Sequence, residues 1–223
     1  MTQTLEITPA TARAQAWLDD FQAHSDARDP EAIASLFAPE CFWRDLVAFS
    51  WNIVTVENRD GVADLARQCL ARTAPSGLRV TEPADEADGV ITAWFAFETS
   101  VGRGTGLVRL TGAGAFTLLT TLDELKGHEE GRPQGVLHGL DRDRVTWRER
   151  RERERVELGY SRAPYVLVIG GGQGGIALGA RLRQLDVPTI VIDKQSRPGD
   201  QWRNRYASLC LHDPVWYDHM PYL

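Results

Sequence analysis

Apolar side chains recur at helical spacing near the start of the chain. Ala14, Trp17, Leu18 and Phe21 stand at i, i+3, i+4 and i+7 behind Thr8 and Pro9. Thr8 offers a capping hydroxyl and Pro9 has no N–H to lose in a first turn, so the pattern predicts a helix over residues 9–27. Asp29-Pro30 opens a short second helix through Ile33, Leu36 and Phe37. A third runs over Asn58–Leu70, with Val62, Leu65, Ala66 and Cys69 on one face. The pattern then changes. Val90–Glu98 (VITAWFAFE) is rich in β-branched and aromatic residues, and Thr105–Leu110 and Ala115–Leu122 follow across glycine breaks. Leu46–Val56 is a fourth strand candidate. Helices followed by a run of antiparallel strands predict an α+β domain over residues 1–140, with the helices on one side of the sheet.

Periodicity stops in the segment 141–163, where Arg and Glu alternate (DRDRVTWRERRERERVELGYSR). Such a run either forms a basic patch or is a solvated stretch laced with ion pairs. Acidic residues nearly match the arginines, so the second reading is taken and the segment is expected to be a charged linker.

The segment 164–223 carries the chemistry. Tyr165–Ile169 is a continuous apolar run, as in a strand buried on both faces. Gly170, Gly172 and Gly175 then fill a G-x-G-x-x-G pattern, within which Gln173 and Gly174 also sit. Gln173–Leu185 reads as a helix and Thr189–Ile192 as a second strand ending on Asp193. Each part has a mechanical role. Gly170 permits the turn out of the strand, Gly172 lets backbone approach a pyrophosphate, and Gly175 lets helix and strand pack closely. The helix N-terminus presents unpaired N–H groups and a positive dipole end to phosphate. Asp193, with Lys194 beside it, is placed to accept hydrogen bonds from a ribose diol. The order strand, glycine turn, helix, strand, acid predicts the first βαβ unit of a Rossmann-type α/β domain. The fingerprint alone leaves FAD and NAD both open.

Composition narrows the partners. The net charge of −6 disfavours nucleic acid and anionic membranes. The N-terminus lacks the basic-then-apolar pattern of a secretory signal, and no apolar run approaches a bilayer's span. The three cysteines, Cys41, Cys69 and Cys210, form no CxxC pair and suggest neither a disulfide framework nor a metal site. A cytoplasmic protein with no metal is the expectation.

The residues after Asp193 include Gly199, Trp202, Tyr206, Leu209, Leu211 and His212, in that order. In this the chain resembles the flavin-containing monooxygenase family, including its auxin-forming plant relatives and its fungal and bacterial versions. The resemblance covers residues 164–223. It implies FAD bound by this unit, with Gln201, Trp202, Arg203 and His212 near the cofactor and no side-chain nucleophile. It further implies NADPH as reductant and transfer of one oxygen atom from O2 to a small organic substrate. Ala207 and Ser208 follow Tyr206, where the related Baeyer–Villiger enzymes usually carry Pro-Gly, which favours the auxin-type or general branch. The family's second glycine fingerprint, for NADPH, is missing from the 223 residues, so the chain is expected to be an N-terminal fragment that is inactive alone.

The order of elements before residue 140, and the stretch LFAPECFWRDLVAFSW (Leu36–Trp51), resemble the SnoaL-like, ketosteroid-isomerase-like cone fold. That likeness implies an apolar pocket in which Asp45 is a polar residue lined by Trp43, Trp51, Trp94, Phe95 and Phe97. The plain reading is that Asp45 pairs with Arg44 or another surface cation and that the aromatics are core. His24, His128 and His138 have no partner at ligand spacing. The domain is equally expected to join a homodimer. Two other readings stay open. One is another FAD-dependent oxidoreductase of the disulfide-reductase or ferredoxin-reductase type. The other is a non-catalytic ligand-binding or dimerising cone domain with a partial nucleotide-binding tail.

Overall fold

The computed structural model describes residues 8–130, 145–210, 214, 216 and 217. The chain divides into two compact units, one up to Glu129 and one from Glu130. The division falls before residue 140, and the charged segment goes with the second unit instead of standing between two domains.

The first unit opens with α1 (Pro9–Ala27), whose first turn is held by the Thr11 N–H donating to Thr8 Oγ1 at 3.1 Å. Arg28, in the left-handed region at φ 56°, ends it. Asp29 caps α2 (Pro30–Ser35), which is shorter than the pattern suggested: Leu36 ends the helix and Phe37 already belongs to a strand. There follow β1 (Phe37–Leu46), β2 (Ile53–Glu57), α3 (Asn58–Thr73), β3 (Ser76–Val80), β4 (Asp85–Ala87), β5 (Val90–Glu98), β6 (Gly102–Thr111) and β7 (Gly114–Leu125).

The strands form one seven-stranded sheet ordered β2-β1-β7-β6-β5-β3, with β4 also paired to β5. The expected run of antiparallel strands is corrected at one seam, because β1 lies parallel to β7. The chain leaves β1, forms five further elements and the β6 hairpin, and re-enters beside β1 from the same end. Buried and exposed residues alternate along β5, so one face is core and the other meets solvent.

The expected strand over Leu46–Val56 is two strands joined by a loop. The cause is local. The Asp45 carboxylate accepts the N–H groups of Phe49 (3.1 Å) and Ser50 (2.8 Å) and the Ser50 hydroxyl (2.6 Å), which folds residues 47–52 back on themselves. Val47 and Trp51 adopt φ of 57° and 59° to complete the loop.

Buried aromatics fill the space between helices and sheet. Ring pairs run from Trp17 to Phe37 (5.5 Å), Phe21 to Trp43 (5.9 Å), Trp43 to Phe49 (5.6 Å) and Phe49 to Phe97 (5.2 Å). On β6 a Cβ at Gly104 would overlap the Phe97 ring, and one at Gly106 the Phe95 ring. Glycines there let both rings lie against the sheet.

The second unit is small. It contains α4 (Trp147–Glu157), β8 (Val166–Ile169), α5 (Gln173–Gln184), β9 (Thr189–Ile192) and α6 (Asp200–Arg203). β8 and β9 pair in parallel, from Val166 opposite Thr189 to Ile169 opposite Ile192. A strand, a helix and a parallel strand in that order make a βαβ unit. A full capping box, with Thr146 and Glu149 bonded reciprocally, starts α4. Arg183 of α5 pairs with Glu154 of α4 at 2.7 Å. The expectation that β8 is buried on both faces is corrected: Tyr165 and Ile169 are 86% and 82% exposed, and α5 buries no residue fully.

Candidate functional site

The site is assembled where β8 turns into α5. Gly170 leaves the strand at φ 107°, a conformation that side-chain-bearing residues rarely adopt, and its N–H donates to the Ile192 carbonyl at 2.7 Å. Gly172 is the N-cap of α5, with no side chain over the helix end. A Cβ on Gly175 would overlap the Gly170 carbonyl oxygen, so helix and turn approach as they do only because this residue is glycine. Gly174 is exposed, and a Cβ there would meet nothing within 4 Å. The sequence order thus becomes a tight strand–turn–helix junction whose helix end is bare backbone.

Asp193 follows β9 and reaches this turn. Its Oδ2 accepts the Gly171 N–H at 2.6 Å and its Oδ1 the Gln195 N–H at 2.7 Å. Those two backbone donors, the Gln195 one first, hold its carboxyl below the ordinary 3.8, and the neighbouring Lys194 charge adds to this. Asp193 is therefore an anion at neutral pH, beside the glycine turn, with lone pairs left on both oxygens. Lys194 itself is exposed.

Gln201, on α6, lies over the turn: a Cβ on Gly172 would come within 2.7 Å of its amide oxygen position. With the amide oriented so that its oxygen accepts, it takes the Gln173 N–H at 3.2 Å and the Trp202 indole N–H at 3.1 Å. Trp202 is partly exposed and carries the Arg205 guanidinium over its ring at 4.7 Å. Arg203 points back into its own segment, donating to the Pro198 carbonyl at 2.8 Å and to Asp200 at 3.1 Å. His212 and His138 lie outside the described residues. The structure thus brings together Gly170, Gly172, Gln173, Gly175, Asp193, Gln201 and Trp202.

Asp200 was not among the expected site residues. The residue is 5% exposed, and its carboxylate takes donors from Arg197 Nε (2.6 Å), Ser196 Oγ (3.0 Å) and Arg203 Nη1 (3.1 Å). The Arg197 bond, ahead of the Ser196 and Arg203 bonds, pushes its carboxyl below the ordinary value. Asp200 pins the segment that carries Gln201 and Trp202. The signal was legible: an acid with arginines three residues to either side. Gly171, whose N–H anchors Asp193, was passed over because the fingerprint treats that position as variable.

A concavity of about 700 Å³ lies in this unit. Gly171, Asp193, the 195–201 segment, Ile176 and Gly179 of α5, and residues of α4 and β9 line it. This volume is within the range of small-molecule sites.

The first unit presents a different picture. Asp45 is fully buried and, among the described residues, pairs with neither Arg44 nor any other cation; besides the loop donors it accepts the Thr120 hydroxyl at 2.7 Å. Thr120 in turn accepts the Trp43 indole N–H at 3.0 Å. Arg44 donates to Thr55 at 2.9 Å. Asp45 is thus a folding anchor with every near donor engaged. Trp43, Phe95 and Phe97 are core, whereas Trp51 and Trp94 face solvent, so the five aromatics do not line one pocket.

No family model matches the chain. Over 56 residues, 25% of its length, it is 46% identical to an uncharacterized oxidoreductase CzcO-like of Geobacillus kaustophilus. Over 55 residues it is 42% identical to an uncharacterized oxidoreductase CzcO of Bacillus subtilis. The chain covers 16% of the length of each of these relatives. Among solved structures, an NTF2-like protein of unknown function from Mesorhizobium loti is similar at 18% identity and a TM-score of 0.39. That likeness covers 54% of this chain and 99% of the other. Among the described residues no helix is long and apolar enough to cross a membrane.

Proposed function

We propose that the second unit is the adenine-dinucleotide cradle of an FAD-dependent oxidoreductase, and that the oxidoreductase is a monooxygenase reduced by NADPH. The observation that carries the reading is the junction of Gly170, Gly172 and Gly175 with Asp193. A bare helix end and an ionised carboxylate converge on one turn, as the two ends of an adenosine diphosphate require. The residues present fit the group. The backbone at Gly172 and Gln173 would hold the pyrophosphate once the Gln201 amide gives way. Asp193, already anionic, would accept the ribose hydroxyls. Trp202, with its indole anchored to Gln201, would wall the path toward the redox-active ring.

Bound flavin would supply hydride acceptance from NADPH and activation of O2, and one oxygen atom would pass to a small organic substrate. The chain's own part is to bind and orient the dinucleotide and to keep Asp193 charged. The partial likeness to proteins named as oxidoreductases supports the redox class. The disulfide-reductase alternative is less favoured, because Cys41, Cys69 and Cys210 are all free and Cys41 and Cys69 are buried in the first unit.

The test is a titration of the chain with FAD, followed by flavin fluorescence and by the absorbance of the protein-bound fraction. Quenched fluorescence, co-elution of flavin and competition by ADP are the expected results. A chain that binds neither FAD nor ADP would overturn the reading. The finer claim is tested by NADPH-dependent bleaching of bound flavin, followed by oxygen uptake, in a longer protein that carries this unit together with a second glycine fingerprint. Bleaching by NADPH without oxygen uptake would replace the monooxygenase by another flavin oxidoreductase.

A further inference from the structure

We propose that Gln201 couples the phosphate-binding end of α5 to Trp202, so that a phosphate seated on the helix end frees the Trp202 indole. The inference rests on the dinucleotide reading and concerns the regulation of that same site.

An indole nitrogen and a backbone nitrogen can each only donate. The Trp202 indole N–H and the Gln173 backbone N–H converge on the Gln201 amide, whose oxygen lies 3.1 Å from the first and 3.2 Å from the second. One neutral acceptor thus serves two donors. It does so over the bare backbone of the turn, where a Cβ on Gly172 would come within 2.7 Å of the amide.

An anion on the helix end needs the same place. Gln173 is the first residue of α5, so its N–H has no acceptor within the helix. A phosphate oxygen is a stronger acceptor than an amide oxygen, because it carries charge and faces the positive end of the helix dipole. The two compete for the Gln173 N–H, and the phosphate displaces the amide. The backbone around Gln201 is held. The Trp202 and Arg203 N–H groups donate to the Gly199 carbonyl at 3.0 and 3.2 Å, and the Asn204 N–H donates to the Asp200 carbonyl at 2.9 Å. The Asp200 carboxylate is engaged by Arg197, Ser196 and Arg203. The part that yields is therefore the Gln201 side chain, which takes its oxygen away from both donors at once. Trp202 loses its acceptor although nothing has touched its ring. That ring is 39% exposed beneath the Arg205 guanidinium, so the freed N–H can turn to solvent or to another group of the ligand. Gln201 is thus a positioning residue for Trp202, and its hold depends on what sits on the helix end.

The indole N–H signals of the seven tryptophans, in a nitrogen–proton correlation spectrum of the whole chain, give the test. Trp202→Phe identifies the Trp202 signal. Gln201→Ala and Gln201→Met, the second of which keeps the side chain's length, should each move that signal before any ligand is added. The other indole signals should stay in place, which also shows that each variant is folded. ADP should move the wild-type signal toward its position in these two variants and leave it nearly still in them. Calorimetry should give ADP binding about fivefold tighter in both, since a competing neutral hydrogen bond has been removed. Gln201→Glu is the opposite case: its carboxylate keeps both donors and repels phosphate. The Trp202 signal should then resist ADP, and ADP binding should weaken at least about tenfold. A wild-type chain that binds ADP with its Trp202 signal unmoved overturns the coupling and leaves the dinucleotide reading standing. Weaker ADP binding by Gln201→Ala and Gln201→Met does the same, because Gln201 is then a ligand contact. If neither the wild type nor these variants binds ADP, the dinucleotide reading falls and the coupling falls with it.

Discussion

The two units handle their large apolar side chains in opposite ways. In the first, Trp43, Phe37, Phe49, Phe95 and Phe97 are buried among helices and sheet. In the second, Leu167, Ile169, Ile176, Leu178 and Ile192 stay substantially exposed. The first unit is held by burial, while the shape of the second depends on glycine turns and charged hydrogen bonds around Asp193 and Asp200. Burial buffers a fold against the loss of any one surface contact. A polar scaffold with little buried area has no such reserve, but it leaves backbone donors and a carboxylate facing a concavity where a ligand can use them. The difference separates a unit closed by its own core from one whose apolar strand and helix positions stay open.

That contrast can be broken most sharply at Asp45. Asp45→Ala leaves the Thr120 hydroxyl and the Phe49 and Ser50 N–H groups without an acceptor, at a cost of about 3 kcal/mol. Thermal denaturation should show the loss as a lowered midpoint, with nucleotide binding at the folded temperature unchanged. If nucleotide binding falls at full stability instead, the first unit is more than scaffold. Gly106→Ala comes next. The added methyl must displace the Phe95 ring or the Leu119 carbonyl, an overpacking expected to cost about 2 kcal/mol by the same melt.

In the second unit the expected effects are on binding. Gly175→Ala pushes α5 off the Gly170 carbonyl and should weaken FAD or ADP at least about tenfold, with the first unit's melt unaffected. Asp193→Asn keeps the shape and loses the charge, and titration calorimetry should record a loss of about 1.5 kcal/mol in ADP affinity.

The smallest effect is that of pH. The Asp193 and Asp200 carboxyls are held below their ordinary 3.8, so both are ionised throughout the neutral and mildly acid range. The stability each contributes is present above the unfolded carboxyl's value and is lost as pH falls through the lowered folded value. FAD affinity, measured by titration in a series of buffers, should therefore stay flat from about pH 8 to about pH 5 and decline only well below that. A decline centred near neutrality would point to a histidine or another group in the site.

Much of the βαβ site could be read from the chain. The strand at 189–192, the helix start at Gln173 and the glycine turn stand where the pattern put them. What could not be read was Gln201 lying across the helix end, because it depends on how the 195–203 segment folds back. In the first unit α1 matched its 9–27 span, since capping and a 3.6-residue period are local signals. The 46–56 segment misled, because its apolar residues suit a strand while Asp45, a single side chain, captures the following backbone and bends it. β3 and β4 were missed: they are short, polar and legible only from their pairing with β5.

By itself, the sequence determined the features that rest on short-range chemistry. These are the helix caps, the β-branched and aromatic run of β5, and the glycines of the turn at Gly170–Gly175. They also include the order of strand, turn, helix and acid that suggested a dinucleotide. Only the tertiary structure decided what depends on distant partners meeting. It placed β1 parallel beside β7, exposed Trp94 while burying Phe95 next to it, and buried Asp45 against Thr120 from a strand 75 residues away. Local signals act through neighbours a few bonds apart, whereas a face becomes inside or outside only when another element covers it.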